Sequence, residues 1–157
     1  MRYLIPASLA LLLTATLSAQ DPHLKHRGAA AMGFDQDKTA HHFLLFEDGG
    51  AIDVSVKDAS DTTNRDAIRA HLPHIAEMFG AGNFEAPMFV HDTRTVPGVA
   101  ALAAMKSSLK YTYSETPRGG RVDIVSTNAE AVKAVHQFLR FQITDHKTGD
   151  PLTPRKR

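Results

Sequence analysis

A glycine pair followed by an alternating apolar stretch occurs twice in this chain, and a helical pattern follows each time. Gly49-Gly50 precedes the alternating stretch 51–57, and Gly119-Gly120 precedes 121–126. Alternation with a period of two predicts a strand with one buried face, and the glycine turn predicts a hairpin. Two such halves predict an α+β domain. We expect a repeated ββα-ββα unit, with a four-stranded antiparallel sheet covered by helices on one face.

Two long helices are predicted from apolar residues that recur at helical spacing. The first starts near Asn64, a good N-cap residue, and ends at the glycines of 80–83. It contains Pro73, which removes one backbone hydrogen bond and should kink the helix. The second is capped by Asn128 and continues to about residue 145. Between the two halves we expect an irregular loop over 84–95 and a short helix over 99–109.

The N-terminus has the three-part pattern of a secretory signal. Arg2 supplies a positive charge, 4–13 form an apolar run, and small residues follow to Ala19. The run is shorter than the roughly 20 residues that a membrane helix needs. We therefore expect a periplasmic or secreted protein with no membrane contact after cleavage. The expected segments are a signal peptide at 1–19, a flexible leader at 20–38, the α+β domain at 39–147 and a solvated tail at 148–157.

Composition excludes several kinds of function. The chain has no cysteine, so it has neither disulfides nor a thiolate for catalysis or metal binding. A formal net charge of +1 gives no electrostatic basis for binding nucleic acid. No nucleophile elbow, phosphate-binding loop or dinucleotide fingerprint is present. These observations favour a function without catalysis.

Nine histidines, several of them close to methionines, point instead to transition-metal binding. In the first long helix His71 and His74 are three residues apart, and Met78 follows four residues later. Residues at this spacing share one stripe of a helix. Two imidazoles and a thioether on one stripe are suitable ligands for a single ion.

Two further histidine patches can complete the ligand set. His41 and His42 are neighbours on a predicted strand, so only one of them can point toward the helices. His91 lies in the predicted irregular loop. Thioether ligands favour Cu(I), which ranks copper before zinc, although three histidines and a carboxylate also suit zinc. The predicted metal ligands are His71, His74, His42, His41, His91 and Met78.

An alternative hypothesis needs no metal. The sheet face without helices, or the loop from Phe84 to Phe89, could bind a protein partner or a second copy of the chain. The histidines would then be incidental or would respond to pH. Loss of metal uptake in a variant with both His71→Ala and His74→Ala, without loss of partner binding, separates this hypothesis from the first.

A set of short motifs resembles a group of small secreted bacterial proteins whose members often carry the label aspartate carbamoyltransferase. The resemblance covers most of the chain after residue 31 and implies a single exported domain. The motifs are Met32-Gly33-Phe34-Asp35-Gln36, Thr39-Ala40-His41-His42-Phe43, Asp48-Gly49-Gly50, His71 to Phe79, Gly82-Asn83-Phe84, His91-Asp92 and Phe138 to Gln142.

The activity named by that label is a remote alternative. Carbamoyltransferases bind phosphate with a Ser-Thr-Arg-Thr loop at the start of a helix. Here Thr93-Arg94-Thr95 is preceded by Asp92 in the place of the serine, and Pro97 follows closely. A carboxylate at that position repels carbamoyl phosphate. The chain is also less than half as long as the two α/β domains of that enzyme require.

Overall fold

The computed structural model describes residues 22–157, and the predicted signal peptide at 1–19 lies outside this range. No helix within the described range is long and apolar enough to cross a membrane. The helices are α1 (Pro22–Met32), α2 (Thr62–Gly80), α3 (Glu85–Val90), α4 (Val99–Ala104) and α5 (Ala129–His146), with a 3₁₀ turn at Lys106–Ser108. The strands are β1 (Thr39–Phe46), β2 (Gly49–Val56), β3 (Lys110–Thr116) and β4 (Gly119–Val125).

The four strands form one antiparallel sheet in the order β1-β2-β4-β3. The predicted α+β class and four-stranded antiparallel sheet are therefore confirmed. On one face Ile52, Val54, Val122 and Ile124 are buried in the core, where α2 packs on β3 and β4 and α5 packs on β1 and β2. Each half contains a hairpin followed by a long helix, but an internal structural repeat stays a prediction.

The two glycine pairs do more than form turns, because they lie where β2 and β4 meet. A Cβ atom on Gly119 would stand 2.0 Å from the carbonyl oxygen of Val54, and one on Gly49 would stand 2.1 Å from that of Ile124. Gly49 also has a φ of +140°, which side chains rarely tolerate. The close approach of the two hairpins therefore depends on these glycines.

The prediction of a flexible leader at 20–38 was wrong for most of that segment. Residues 22–32 form α1, which packs against α2 and α3, and Arg27 Nε donates to the carbonyl oxygen of Val90 at 2.8 Å. Leu24 and Phe34 are both buried. Burial of these two apolar side chains stabilises a segment that has no helical apolar period of its own.

The connecting segments also differ from expectation. The predicted loop at 84–95 contains α3, whose Pro87 falls in the first turn, where a missing N–H is tolerated. The predicted helix at 99–109 ends at Ala104 and continues as the 3₁₀ turn. Asp61, rather than Asn64, caps α2, because its side chain accepts from the Asn64 backbone N–H at 3.0 Å. Asn128 caps α5 as predicted.

The C-terminal residues are part of the fold, which corrects the expectation of a solvated tail. Arg155 exchanges backbone hydrogen bonds with Leu45 and Glu47 at the edge of β1. Farther back, Asp150 accepts from the Phe43 backbone N–H at 3.0 Å. Short-range sequence patterns could not show this contact, since about 110 residues separate the tail from the strand that it covers.

Replacing Arg157 with alanine is expected to lower the free energy of unfolding by about 1 kcal/mol. The Arg157 guanidinium pairs with Asp48 at 3.0 Å and with Asp123, and it lies 4.5 Å from the ring centroid of Phe46. Urea denaturation at low and high salt measures the effect, which should shrink as salt rises. The control is Lys156→Ala at an exposed neighbour, and equal losses in both variants would contradict a docked tail.

Candidate metal centre

A cavity of about 80 Å³ lies between the covered face of the sheet and the helices. We call it the histidine cavity, because His41, His71, His91 and His146 line it together with Gln142 and Met32. Its remaining walls are apolar side chains contributed by β1, β2, α1, α2 and α3: Ala31, Phe43, Ile52, Val54, Leu72, Ile75, Ala86, Pro87 and Val90.

Strand alternation decides which of the two neighbouring histidines on β1 reaches the cavity. His41 shares the covered face with the buried residues Phe43 and Leu45 and lines the cavity. His42 points the other way, with its side chain 48% exposed and its Nδ1 2.8 Å from Asp150 Oδ1. The expectation that only one of the pair faces the helices is therefore met, and His41 is that residue.

Of the three predicted ligands on α2, only His71 reaches the cavity. His71 precedes Leu72 and Ile75 on the buried stripe of the helix and lines the cavity beside them. His74 is exposed, and Met78 packs against the hydrophobic core elsewhere. The thioether that does line the cavity belongs to Met32, at the end of α1.

His91 follows α3 directly, and its side chain is only 1% exposed. Its Nδ1 makes a very short hydrogen bond with Asp145 on α5, and its Nε2 lies 2.8 Å from Gln142 Oε1. An imidazole whose Nδ1–H donates to a carboxylate has a fixed ring orientation and a more basic Nε2. Asp145 therefore positions the His91 ring within the cavity wall.

His146, the last residue of α5, was missed by the sequence analysis. It is buried, and its ring centroid lies 4.9 Å from that of His91 and 6.0 Å from that of His41. A histidine at the C-terminal end of a helix is usually interpreted as a residue that interacts favourably with the helix dipole. The available signal was its position four residues after Gln142, on the stripe that also carries Leu139.

Three of the cavity imidazoles are held in the neutral form. Burial, together with the neighbouring His71 and His42, lowers the pKa of His41 to about 4. Burial, followed by the proximity of His74, lowers the pKa of His71 to about 4. Burial, with His41 and His91 nearby, lowers the pKa of His146 to about 3. A neutral imidazole carries a free lone pair, which metal coordination requires.

Two buried polar atoms at this site have no hydrogen-bond partner within the described range: Nε2 of His41 and Nε2 of Gln142. Unsatisfied buried polar atoms are uncommon in folded proteins. The His41 nitrogen, when unprotonated, is an acceptor that a water or a cation satisfies, whereas the Gln142 amide nitrogen is a donor that needs an acceptor such as a water. The same part of the chain contains no group of three or more histidine or carboxylate side chains already arranged around one metal position.

Comparison with known proteins found no matching protein-family model, no similar curated protein and no similar solved structure. The chemistry of the residues that line the histidine cavity is therefore the basis for its function.

Two further features of the sequence, His136 and the Thr-Arg-Thr run at 93–95, do not line the cavity. His136 on α5 bridges the β1–β2 turn, where its Nε2 lies 2.8 Å from the carbonyl oxygen of Phe46 and 3.1 Å from that of Gly49. This contact gives His136 a structural role. Residues 93–95 lie in the connection between α3 and α4, several residues before the first residue of α4, and so do not begin a helix.

Proposed function

We propose that this protein binds one transition-metal ion, copper before zinc, in the histidine cavity and catalyses no reaction. The observation that carries the proposal is the convergence of four imidazoles from β1, α2, α5 and the end of α3 on one cavity. Export to the periplasm or beyond is part of the proposal and rests on the signal pattern at 1–19. The ligands are now His41, His71, His91 and His146, with Met32 as an additional donor.

The spacing of the rings supports this ligand set. Two imidazoles bound to one ion through bonds of about 2.0 to 2.1 Å have ring centroids roughly 5 to 6 Å apart. The observed 4.9 Å between His91 and His146 and 6.0 Å between His146 and His41 match that range. The His41 and His146 rings are stacked in parallel, so they must rotate about their side-chain bonds to direct nitrogen atoms at one point.

In the structure, the side chain of Gln142 contacts Nε2 of His91, which is the nitrogen that would bind the ion. Its Oε1 lies 2.8 Å from His91 Nε2, while Asp145 holds Nδ1. A carboxylate behind a histidine is the usual second layer of a metal site. In our proposal the ion replaces Gln142 at His91 Nε2, and Asp145 keeps the ring oriented during that exchange.

Elemental analysis after exposure to copper or zinc and extensive dialysis tests the proposal. We expect one retained ion per chain in the exported protein, and its loss in a variant with both His41→Leu and His146→Leu. The matched control carries His42→Ala and His74→Ala, which removes two exposed imidazoles and should keep the ion. His23 and His26 are replaced by alanine in every sample, since they lie outside the cavity lining. Retention by the cavity variant together with loss in the control would contradict the proposal.

A second candidate function is an interaction module, and one observation favours it. Phe89 on α3 is 55% exposed, and in the described part of the chain only Phe89 and Leu152 are large hydrophobic side chains exposed to this extent. If this residue binds a partner or a second copy, Phe89→Ser should reduce association in sedimentation equilibrium without affecting metal retention. Equal association of both proteins would count against this function.

A further inference from the structure

We infer that the histidine cavity selects Cu(I) over divalent ions, an inference that rests on the proposed metal function. The groups that line the cavity carry little charge, and their donor atoms are of the soft kind that prefers Cu(I). Selectivity for Cu(I) specifies an oxidation state, which the ligand residues alone leave open because imidazole suits either copper state.

The cavity lining provides almost no compensating negative charge. Among the residues of the described range that line the cavity, none is an aspartate, a glutamate, a lysine or an arginine. Asp145 is a carboxylate outside the lining that bonds the lining imidazole of His91. The cost of moving an ion from water into a medium of low dielectric constant rises with the square of its charge. One carboxylate neutralises a monovalent ion but leaves a divalent ion with an uncompensated charge.

The donor atoms lead to the same choice. The cavity offers neutral imidazole nitrogens and the thioether sulfur of Met32, and its other walls are hydrocarbon. Soft thioether and neutral nitrogen ligands favour Cu(I), whereas carboxylates and water suit harder divalent ions. A thioether adds no charge, so Met32 contributes to binding a soft monovalent ion and little to binding zinc.

Competition titrations measure this selectivity. The metal-free exported protein competes with bicinchoninate for Cu(I) under anaerobic, reducing conditions, and with a chromophoric chelator for Zn²⁺. We expect Cu(I) to bind at least 100-fold more tightly than Zn²⁺. Met32→Leu should weaken Cu(I) binding about tenfold and leave the Zn²⁺ affinity within twofold. Met78→Leu is the matched control, because Met78 does not line the cavity, and it should change neither affinity.

Asp145→Asn tests the charge argument separately. It keeps the size of the side chain but removes the negative charge beside His91, so Cu(I) affinity should fall at least tenfold. Stronger binding of Zn²⁺ than of Cu(I), or equal effects of Met32→Leu and Met78→Leu, would overturn the inference and leave the proposed metal function standing. Failure to bind either ion would overturn both. Circular dichroism of each variant distinguishes loss of a ligand from loss of the fold.

Discussion

Lowering the pH from 7 to 4 is expected to remove most of the stability of the metal-free protein. In the folded state His41 and His71 have pKa values of about 4 and His146 of about 3, against 6.5 for an exposed histidine. Below pH 6.5 the unfolded chain takes up protons at these three sites, whereas the folded chain does not until about pH 4. Because the unfolded state then binds more protons, the free energy of unfolding falls as the pH falls.

The expected loss across this window is on the order of 5 kcal/mol in total, since each pKa unit is worth about 1.4 kcal/mol and His71 is partly exposed. This is comparable with the whole stability of a typical domain, about 5 to 15 kcal/mol. The pKa values of Asp58 and Asp61 are lowered by hydrogen bonds from Ser60 and Asn64, respectively. Those carboxylates destabilise the fold only below about pH 4. Burial raises the pKa of Asp53, and this group opposes the loss as the pH falls, so a net fall in stability between pH 6.5 and 4 reports the histidines.

Urea denaturation followed by circular dichroism at pH 7, 6, 5 and 4 measures this dependence. His146→Leu removes one buried titrating group and should flatten the curve by up to one third. A variant with both His42→Ala and His74→Ala, at exposed positions, should retain the full slope. A free energy of unfolding that stays constant from pH 7 to 4.5 would show that these imidazoles are not held neutral by burial.

Replacing His146 with leucine is expected to weaken metal binding more than 100-fold, because the change removes a proposed ligand. Loss of a residue that merely orients a ligand already costs about 10- to 100-fold. The His146 ring lies near the rings of both His91 and His41, so its loss leaves the proposed ligands without the imidazole that is close to the other two. Leucine fills similar space with hydrocarbon, which should preserve the fold. Chelator competition at pH 7.5 measures the affinity.

The matched comparison is His74→Ala, three residues after His71 on α2 but exposed. We expect its affinity to stay within twofold of the unchanged protein. Equal losses in the two variants would indicate binding on the helix surface, through the His71 and His74 pair that the sequence alone favours.

The hairpins and the long helices could be predicted because their signals are local. Glycine turns, two-residue alternation and the Asn128 cap all depend on neighbours within a few residues. The same local rule predicted that only one of His41 and His42 faces the helices. It could not say which one, because that choice depends on the register with β2, where His41 pairs with Val54.

The full lining of the histidine cavity could not be predicted, for a different reason. His146 and Met32 lie far from His71 in sequence, and only the packing of α1 and α5 around the sheet brings them to one cavity. His74 and Met78 matched the expected spacing along α2. A helix turns 100° and rises 1.5 Å per residue, so His74 lies about 60° around the helix from His71, whereas Met78 returns to within about 20° of it but lies about 10 Å farther along the axis. Spacing along one helix therefore identified one residue that lines the cavity, His71, but not the other residues that line it.

Anomalous diffraction from crystals of the copper-loaded protein tests the central claim most directly. The account predicts one strong copper peak within bonding distance of nitrogen atoms from at least three of His41, His71, His91 and His146, with Gln142 displaced from His91. A peak bound instead to His42, His74, His23 or His26, with the cavity unchanged, would contradict it.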